Sequence, residues 1–227
     1  MNKPFFIVFE GIDRCGKSLQ ADLLARRLRE VGVPTEVFTT PDYNCKTGQV
    51  INSHLHGEVY LARGQDRERS AHDELVLQSL LIANRYAVAD RVRRWLAGGN
   101  VAVVVRWIPS AMLYGTDAGI DEGFLRGACA LLPVPDAYVL LNVDAKAIQH
   151  RTSESNRYES DRQKQERLSR KYLEMWMRNQ AGCWPGRQRP WFVIDGYFLT
   201  EKVHDSVCSL VSALRPDLGD RLGTPRA

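Results

Sequence analysis

Eight residues constrain this chain more than any others. Gly11 to Ser18 reads Gly-Ile-Asp-Arg-Cys-Gly-Lys-Ser and fits the spacing G-x-x-x-x-G-K-[ST] at every fixed position. Before it lies Phe5-Phe6-Ile7-Val8-Phe9, a short apolar run suited to a buried strand; after it Leu19, Leu23, Leu24, Leu28 and Val31 recur at helical spacing. Strand, glycine loop and helix in that order predict a phosphate cradle. Gly11 and Gly16 let the backbone curl so that successive N–H groups face one anion, with the positive end of the following helix behind them. The residues expected around the triphosphate of a bound nucleotide are therefore Gly11, Asp13, Arg14, Cys15, Gly16, Lys17, Ser18 and Leu19. Lys17 is expected to reach the β- and γ-phosphates, and the Ser18 hydroxyl to ligate Mg²⁺.

A length of 227 residues suits one α/β domain with a substantial core. With 31 basic against 27 acidic residues the formal charge is +4, which accords with anionic substrates but is too weak for a nucleic-acid binder. Cys15, Cys45, Cys129, Cys183 and Cys208 are odd in number and scattered, with no C-x-x-C pair. That usage points to reduced thiols in the cytoplasm rather than to disulfides or zinc. The N-terminal apolar run is five residues long and leads straight into the glycine loop, so it reads as strand and not as signal peptide. No stretch approaches the length of a membrane span.

Apolar runs punctuate the rest of the chain. Pro34 to Phe38 reads as a second strand after the helix stop at Gly32. Lys46 to Ile51 predicts a short helix within a polar stretch from Asp42 to Arg69. Ser70 with Asp73 is placed to cap a long helix running to about Trp95, which Gly98-Gly99 ends. Val101 to Val105, Ala137 to Val143 and Trp191 to Ile194 complete five strands. Strands alternating with helices predict an α/β fold: a five-stranded parallel sheet with helices on both faces and ligands at the carboxyl ends of the strands. Residues 1–214 are expected to form a single domain. Residues 215–227 lack periodicity and read as a flexible basic tail.

From Phe6 to Gln20 the sequence Phe-Ile-Val-Phe-Glu-Gly-Ile-Asp-Arg-Cys-Gly-Lys-Ser-Leu-Gln resembles the opening of the thymidylate kinase family. Phosphate binding in general demands neither the aspartate inside the loop nor the glutamine after it, so both add specificity. The similarity continues at Ile82-Ala83-Asn84-Arg85-Tyr86 and at Val103-Val104-Val105-Arg106-Trp107 with Ser110 and Tyr114. It resumes at Arg157-Tyr158-Glu159 followed by Glu166-Arg167, all in the family's order. The resemblance implies a P-loop kinase fold and transfer of the γ-phosphoryl group from ATP, with Mg²⁺, to a deoxynucleoside monophosphate, dTMP first among them. It also implies a homodimer packed through helices.

Carried over residue by residue, the family's roles fall on named positions here. Lys17, Arg14, Arg106, Arg151 and Arg157 become the catalytic cations, with Arg14 against the γ-phosphate and Arg106 on the acceptor phosphate. Asp13 is expected to bond the sugar 3′-hydroxyl, and Arg85 to contact the base. Ser110, Tyr114 and Tyr158 join the acceptor's surroundings. Residues 150–160 match the family's lid, a flap that closes over ATP and expels water.

Departures from the family cluster on the acceptor side. Val105 stands where the family carries an aspartate, Tyr43 where it carries an arginine, and Leu81 where a phenylalanine stacks on the base. Leu19 replaces a usual threonine. Three readings stay open at this point: a dTMP kinase, a kinase for dUMP or a base-modified dUMP, and a nucleotide-binding protein without efficient turnover.

Overall fold

The computed structural model describes residues 3–59, 61, 71–146, 148, 161–180 and 189–222. Five strands form one parallel sheet: β1 Phe5–Glu10, β2 Thr35–Thr39, β3 Val101–Val105, β4 Ala137–Asn142 and β5 Trp191–Asp195. Their spatial order is β2-β3-β1-β4-β5. Every residue of β1 and β3 is buried, whereas the edge strands β2 and β5 are partly open. That is the burial expected when helices cover both faces and side chains of either parity meet apolar neighbours. All five strands foreseen from the apolar runs are present.

Eight helices surround the sheet among the described residues: α1 Lys17–Glu30, α2 Lys46–Leu55, α3 Ala71–Ala97, α4 Ile108–Asp117, α5 Glu122–Cys129, α6 Arg162–Gln180, α7 Thr200–Leu214 and α8 Pro216–Leu222. One layer consists of α1 packed on α7 and α8; the other runs from α3 through α4 to α6. The chain leaves β1 toward β3 and β2 on one side, and toward β4 and β5 on the other. The switch point therefore lies at the carboxyl end of β1, between Glu10 and Val105, where an open parallel sheet presents its ligand crevice.

The expected tail is overturned for most of its length. Arg215 is buried, and residues 216–222 form α8, with Pro216 at its first position, where the missing N–H is not needed. Leu218 and Leu222, one turn apart, are buried. Arg27 Nη2 donates to Leu222 O at 2.7 Å, and Arg215 Nη1 to Pro4 O at 3.2 Å. Two leucines and one arginine are too few to register as a period, yet they suffice to fasten a helix of about two turns. Asp73 has long-range partners near the start of α3. It is buried, lies 3.2 Å from His54 Nε2 and accepts from the Leu61 amide at 3.1 Å. Ser70 lies outside the described residues.

Candidate active site

The glycine loop fills the crevice. Gly11 has φ +139°, and a Cβ there would come within 2.7 Å of Leu141 O and 2.8 Å of Cys15 Sγ, so the loop can pass under β4 only as glycine. Gly16, at φ +99°, turns the chain into α1, whose N-terminus has no side-chain cap. The first-turn N–H groups are thus left for an anion. Lys17 is buried, and its Nζ donates to Ile12 O and lies 3.6 Å from Cys15 Sγ. Burial first, then the charge of Arg106, pulls the Lys17 pKa below its ordinary value. Cys15 is buried beneath the loop, and Leu19 is half exposed, away from the cavity.

Opposite the loop stands Arg106, at the end of β3 with φ +65°, a left-handed conformation rare for a residue with a side chain. Its N–H donates to Phe9 O at 2.9 Å, and the next amide, that of Trp107, donates to Glu10 Oε1 at 2.7 Å. Trp107 is fully buried, edge-on to Phe6 with ring centroids 5.8 Å apart, and its Nε1 donates to Pro133 O at 2.9 Å. The Arg106 guanidinium lies over the Tyr114 ring, donates from Nη1 to Ser110 Oγ at 3.2 Å and pairs through Nη2 with Asp13 Oδ1.

Asp13 collects more partners. Its Oδ2 accepts from Tyr114 Oη at 2.9 Å and from Gln165 Nε2 at 2.7 Å, while its own N–H donates to Gln165 Oε1 at 3.0 Å. Burial works to raise the Asp13 carboxyl; the Arg106 charge, then that of Lys17, with the Tyr114 and Gln165 hydrogen bonds, outweighs it and holds the pKa below the ordinary value. The same pairing works on Arg106. Burial opposes its charge, yet Asp13 keeps it more firmly protonated than a free guanidinium. Burial, the main cause, drives the Tyr114 phenol well up, so it stays a hydrogen-bond donor.

Beneath this pair lies Glu10, fully buried, accepting from Ser110 Oγ at 2.6 Å and Tyr172 Oη at 3.0 Å besides the Trp107 amide. Glu10, Gln165 and Tyr172 were absent from the sequence-derived site. An acid closing an otherwise apolar strand was the available sign for Glu10. Gln165 and Tyr172 lie seven apart, on one face of α6, which is a helical stripe facing the site.

One cavity of about 380 Å³ joins these groups. Of the expected residues it brings together Asp13, Arg14, Lys17, Ser18, Tyr43, Leu81, Arg85, Val105, Arg106, Ser110 and Tyr114, and it adds Thr39, Thr40, Pro41, Leu55 and Gln78. Arg85 is buried; its Nε donates to Trp107 O at 3.0 Å, while its Nη1 has no hydrogen-bond partner among the described residues. Val105 and Leu81 present apolar wall where the family carries a carboxylate and an aromatic face, and Tyr43 sits half exposed at the rim. Arg151, Arg157 and Tyr158 lie outside the described residues.

Comparison with known proteins decides what this geometry belongs to. The family model for thymidylate kinase matches residues 9–207. The chain belongs to the thymidylate kinase family. It is 26% identical over 211 residues to the thymidylate kinase of Schizosaccharomyces pombe, covering 93% of each chain. To that of Dictyostelium discoideum it is 29% identical over 147 residues, 64% of this chain and 61% of the relative. The solved thymidylate kinase of Candida albicans shares the fold, with a TM-score of 0.71 at 21% identity, covering 98% of this chain and 94% of the other. Thymidylate kinases are phosphotransferases acting on a nucleoside monophosphate, and a P-loop facing a pair of arginines across one cavity is the architecture such a transfer needs.

Proposed function

We propose that this chain transfers the γ-phosphoryl group of ATP to dTMP, yielding ADP and dTDP. The observation that carries the proposal is the convergence of Lys17, Arg14 and Arg106 on one cavity whose far end holds Arg85 with a buried, unsatisfied N–H. In-line transfer asks a protein mainly to align two anions and neutralise their charge. An oxygen of the acceptor phosphate attacks the γ-phosphorus, and the bond from that phosphorus to the β–γ bridging oxygen breaks.

On the donor side the glycine-loop amides and Lys17 hold the triphosphate, and Arg14 faces the γ-phosphate. On the acceptor side the Arg106 fork holds the monophosphate, with Ser110 behind it. Asp13 has about four lone-pair sites, and three are taken by Arg106, Tyr114 and Gln165, which leaves one on Oδ1 for the sugar 3′-hydroxyl. A buried N–H without a partner is costly, and a base carbonyl of dTMP would satisfy Arg85 Nη1. Tyr114, Leu81 and Tyr43 enclose sugar and base. Residues 150–160 would serve as the lid over ATP, with Arg151 and Arg157 toward the phosphates and Tyr158 toward the acceptor.

A hard dication suits this site. Ser18 is exposed at the cavity's edge, whereas Glu10 and Asp13 are committed to hydrogen bonds, and the described residues contain no cluster of three His, Cys, Asp or Glu able to hold a metal unaided. Ser18, phosphate oxygens and water are the ligands Mg²⁺ accepts, and when bound it neutralises charge on the phosphates.

The test is an incubation of the pure chain with ATP, Mg²⁺ and each deoxynucleoside monophosphate. dTDP is the expected product, with dTMP the best acceptor; absence of a diphosphate from every pyrimidine nucleotide overturns the proposal. We further propose a homodimer, supported by Leu75 and Val76, which are partly exposed on α3; a scattering mass of one chain at micromolar concentration overturns it. A cytoplasmic setting is supported by the free thiols of Cys15, Cys45, Cys129 and Cys208. No helix among the described residues is long and apolar enough to cross a membrane.

A further inference from the structure

Arg106 holds a left-handed backbone conformation that costs free energy on its own. Such a conformation persists only when neighbours fix it from several sides. Two of the tethers come from β1 and its end: Phe9 O accepts from the Arg106 N–H, and Glu10 Oε1 accepts from the following amide. The third comes from the other side of β3. Thr40 is buried, just past β2; its N–H donates to Val105 O at 3.0 Å, and its hydroxyl donates to Arg106 O at 2.6 Å.

We propose that the Thr40 hydroxyl is a positioning group for the transfer. It fixes the carbonyl of the left-handed Arg106 and thereby aims the guanidinium at the acceptor phosphate. Residue 105 carries no carboxylate, so orientation of Arg106 falls to two sets of contacts. Asp13 and Ser110 act on the guanidinium, and Thr40 acts on the main chain from the β2 side. Thr40 also lines the cavity, so loss of its hydroxyl would free the Arg106 carbonyl where the acceptor sits. A buried carbonyl stripped of its partner tends to turn toward another donor, and a small turn at Arg106 swings a long side chain. The inference rests on reading Arg106 as the clamp for the acceptor phosphate.

Thr40→Val is the decisive variant because it keeps the branched shape and removes only the hydrogen bond. Steady-state rates are measured for wild type, Thr40→Val, Thr40→Ser, Arg106→Lys and the double variant Thr40→Val/Arg106→Lys. Thr40→Val is expected to lower kcat/KM for dTMP about tenfold while leaving the KM for ATP unchanged, and Thr40→Ser to restore it to within about twofold. In the Arg106→Lys background the same change is expected to cost less than about twofold, because the two residues act as one unit. Unaltered dTMP kinetics in Thr40→Val overturns the inference. So does equal loss toward both substrates, or a full tenfold cost on top of Arg106→Lys. Should Thr40→Val not fold, Thr40→Ala enters the same cycle with the same criteria. If Arg106→Lys alone leaves dTMP kinetics untouched, the reading of the clamp fails, which is a separate result.

Discussion

The two walls of the cavity are built on different principles. The donor wall is a single run, Gly11 to Ser18, in which backbone amides do the binding and glycine conformation shapes the loop. The acceptor wall gathers side chains from β1, the turn after β2, α3, β3, α4 and α6, and its polar members Glu10, Asp13, Arg106, Ser110 and Gln165 are joined by hydrogen bonds. A backbone cradle is intolerant of change at its glycines and at the few side chains that reach the phosphates. A network of side chains can lose a member and redistribute its work. The chain has kept the first wall to pattern while carrying Val105, Leu81 and Tyr43 in the second, which is the distribution of change those two constructions permit.

The comparison breaks most readily at the donor wall. Lys17→Ala is expected to cut turnover by at least about 10³-fold, because Arg14 faces only the γ-phosphate and cannot replace a charge placed between the β- and γ-phosphates. A rapid-quench assay checks this, with circular dichroism to confirm the fold. Next comes Arg106→Lys, which keeps the charge but loses the fork. It is expected to lower kcat/KM for dTMP on the order of 10²-fold, about 2.7 kcal/mol, with ATP affinity unchanged.

Val105→Asp sharpens the comparison from the other side. If Asp13 and Ser110 already hold the guanidinium, restoring the family carboxylate changes kcat/KM by less than about fivefold; a gain of about 100-fold would mean the native wall is crippled. The smallest effect concerns pH. The Asp13 carboxyl lies below its ordinary 3.8 in the folded chain, so the stability it contributes is complete above that value and is lost as pH falls through the depressed one. Urea midpoints of wild type and Asp13→Asn should therefore keep a constant gap from neutral pH down to about 4, and close only below it.

What the sequence made legible follows the same division. The glycine loop, the five strands and the long helix are local patterns, and each arose where its spacing placed it. Lys17 and Arg106 could be assigned to one site because strand ends in a parallel sheet share an edge, whereas Arg14 and Arg85 were assigned to it by the family resemblance. Glu10, Thr40, Gln165 and Tyr172 could not, since their roles depend on the register of β1 against β3 and on which face of α6 turns inward. Residues 216–222 were misread because a helix with two buried leucines owes its order to α1 and α7, not to its own pattern.

Calorimetric titration of ATP and of dTMP into Lys17→Ala and into Arg106→Lys tests the division of the cavity most directly. The expected result is a crossed pattern: Lys17→Ala loses affinity for ATP and keeps it for dTMP, while Arg106→Lys does the reverse. Loss of both ligands in both variants would contradict it, because the two walls would then be one.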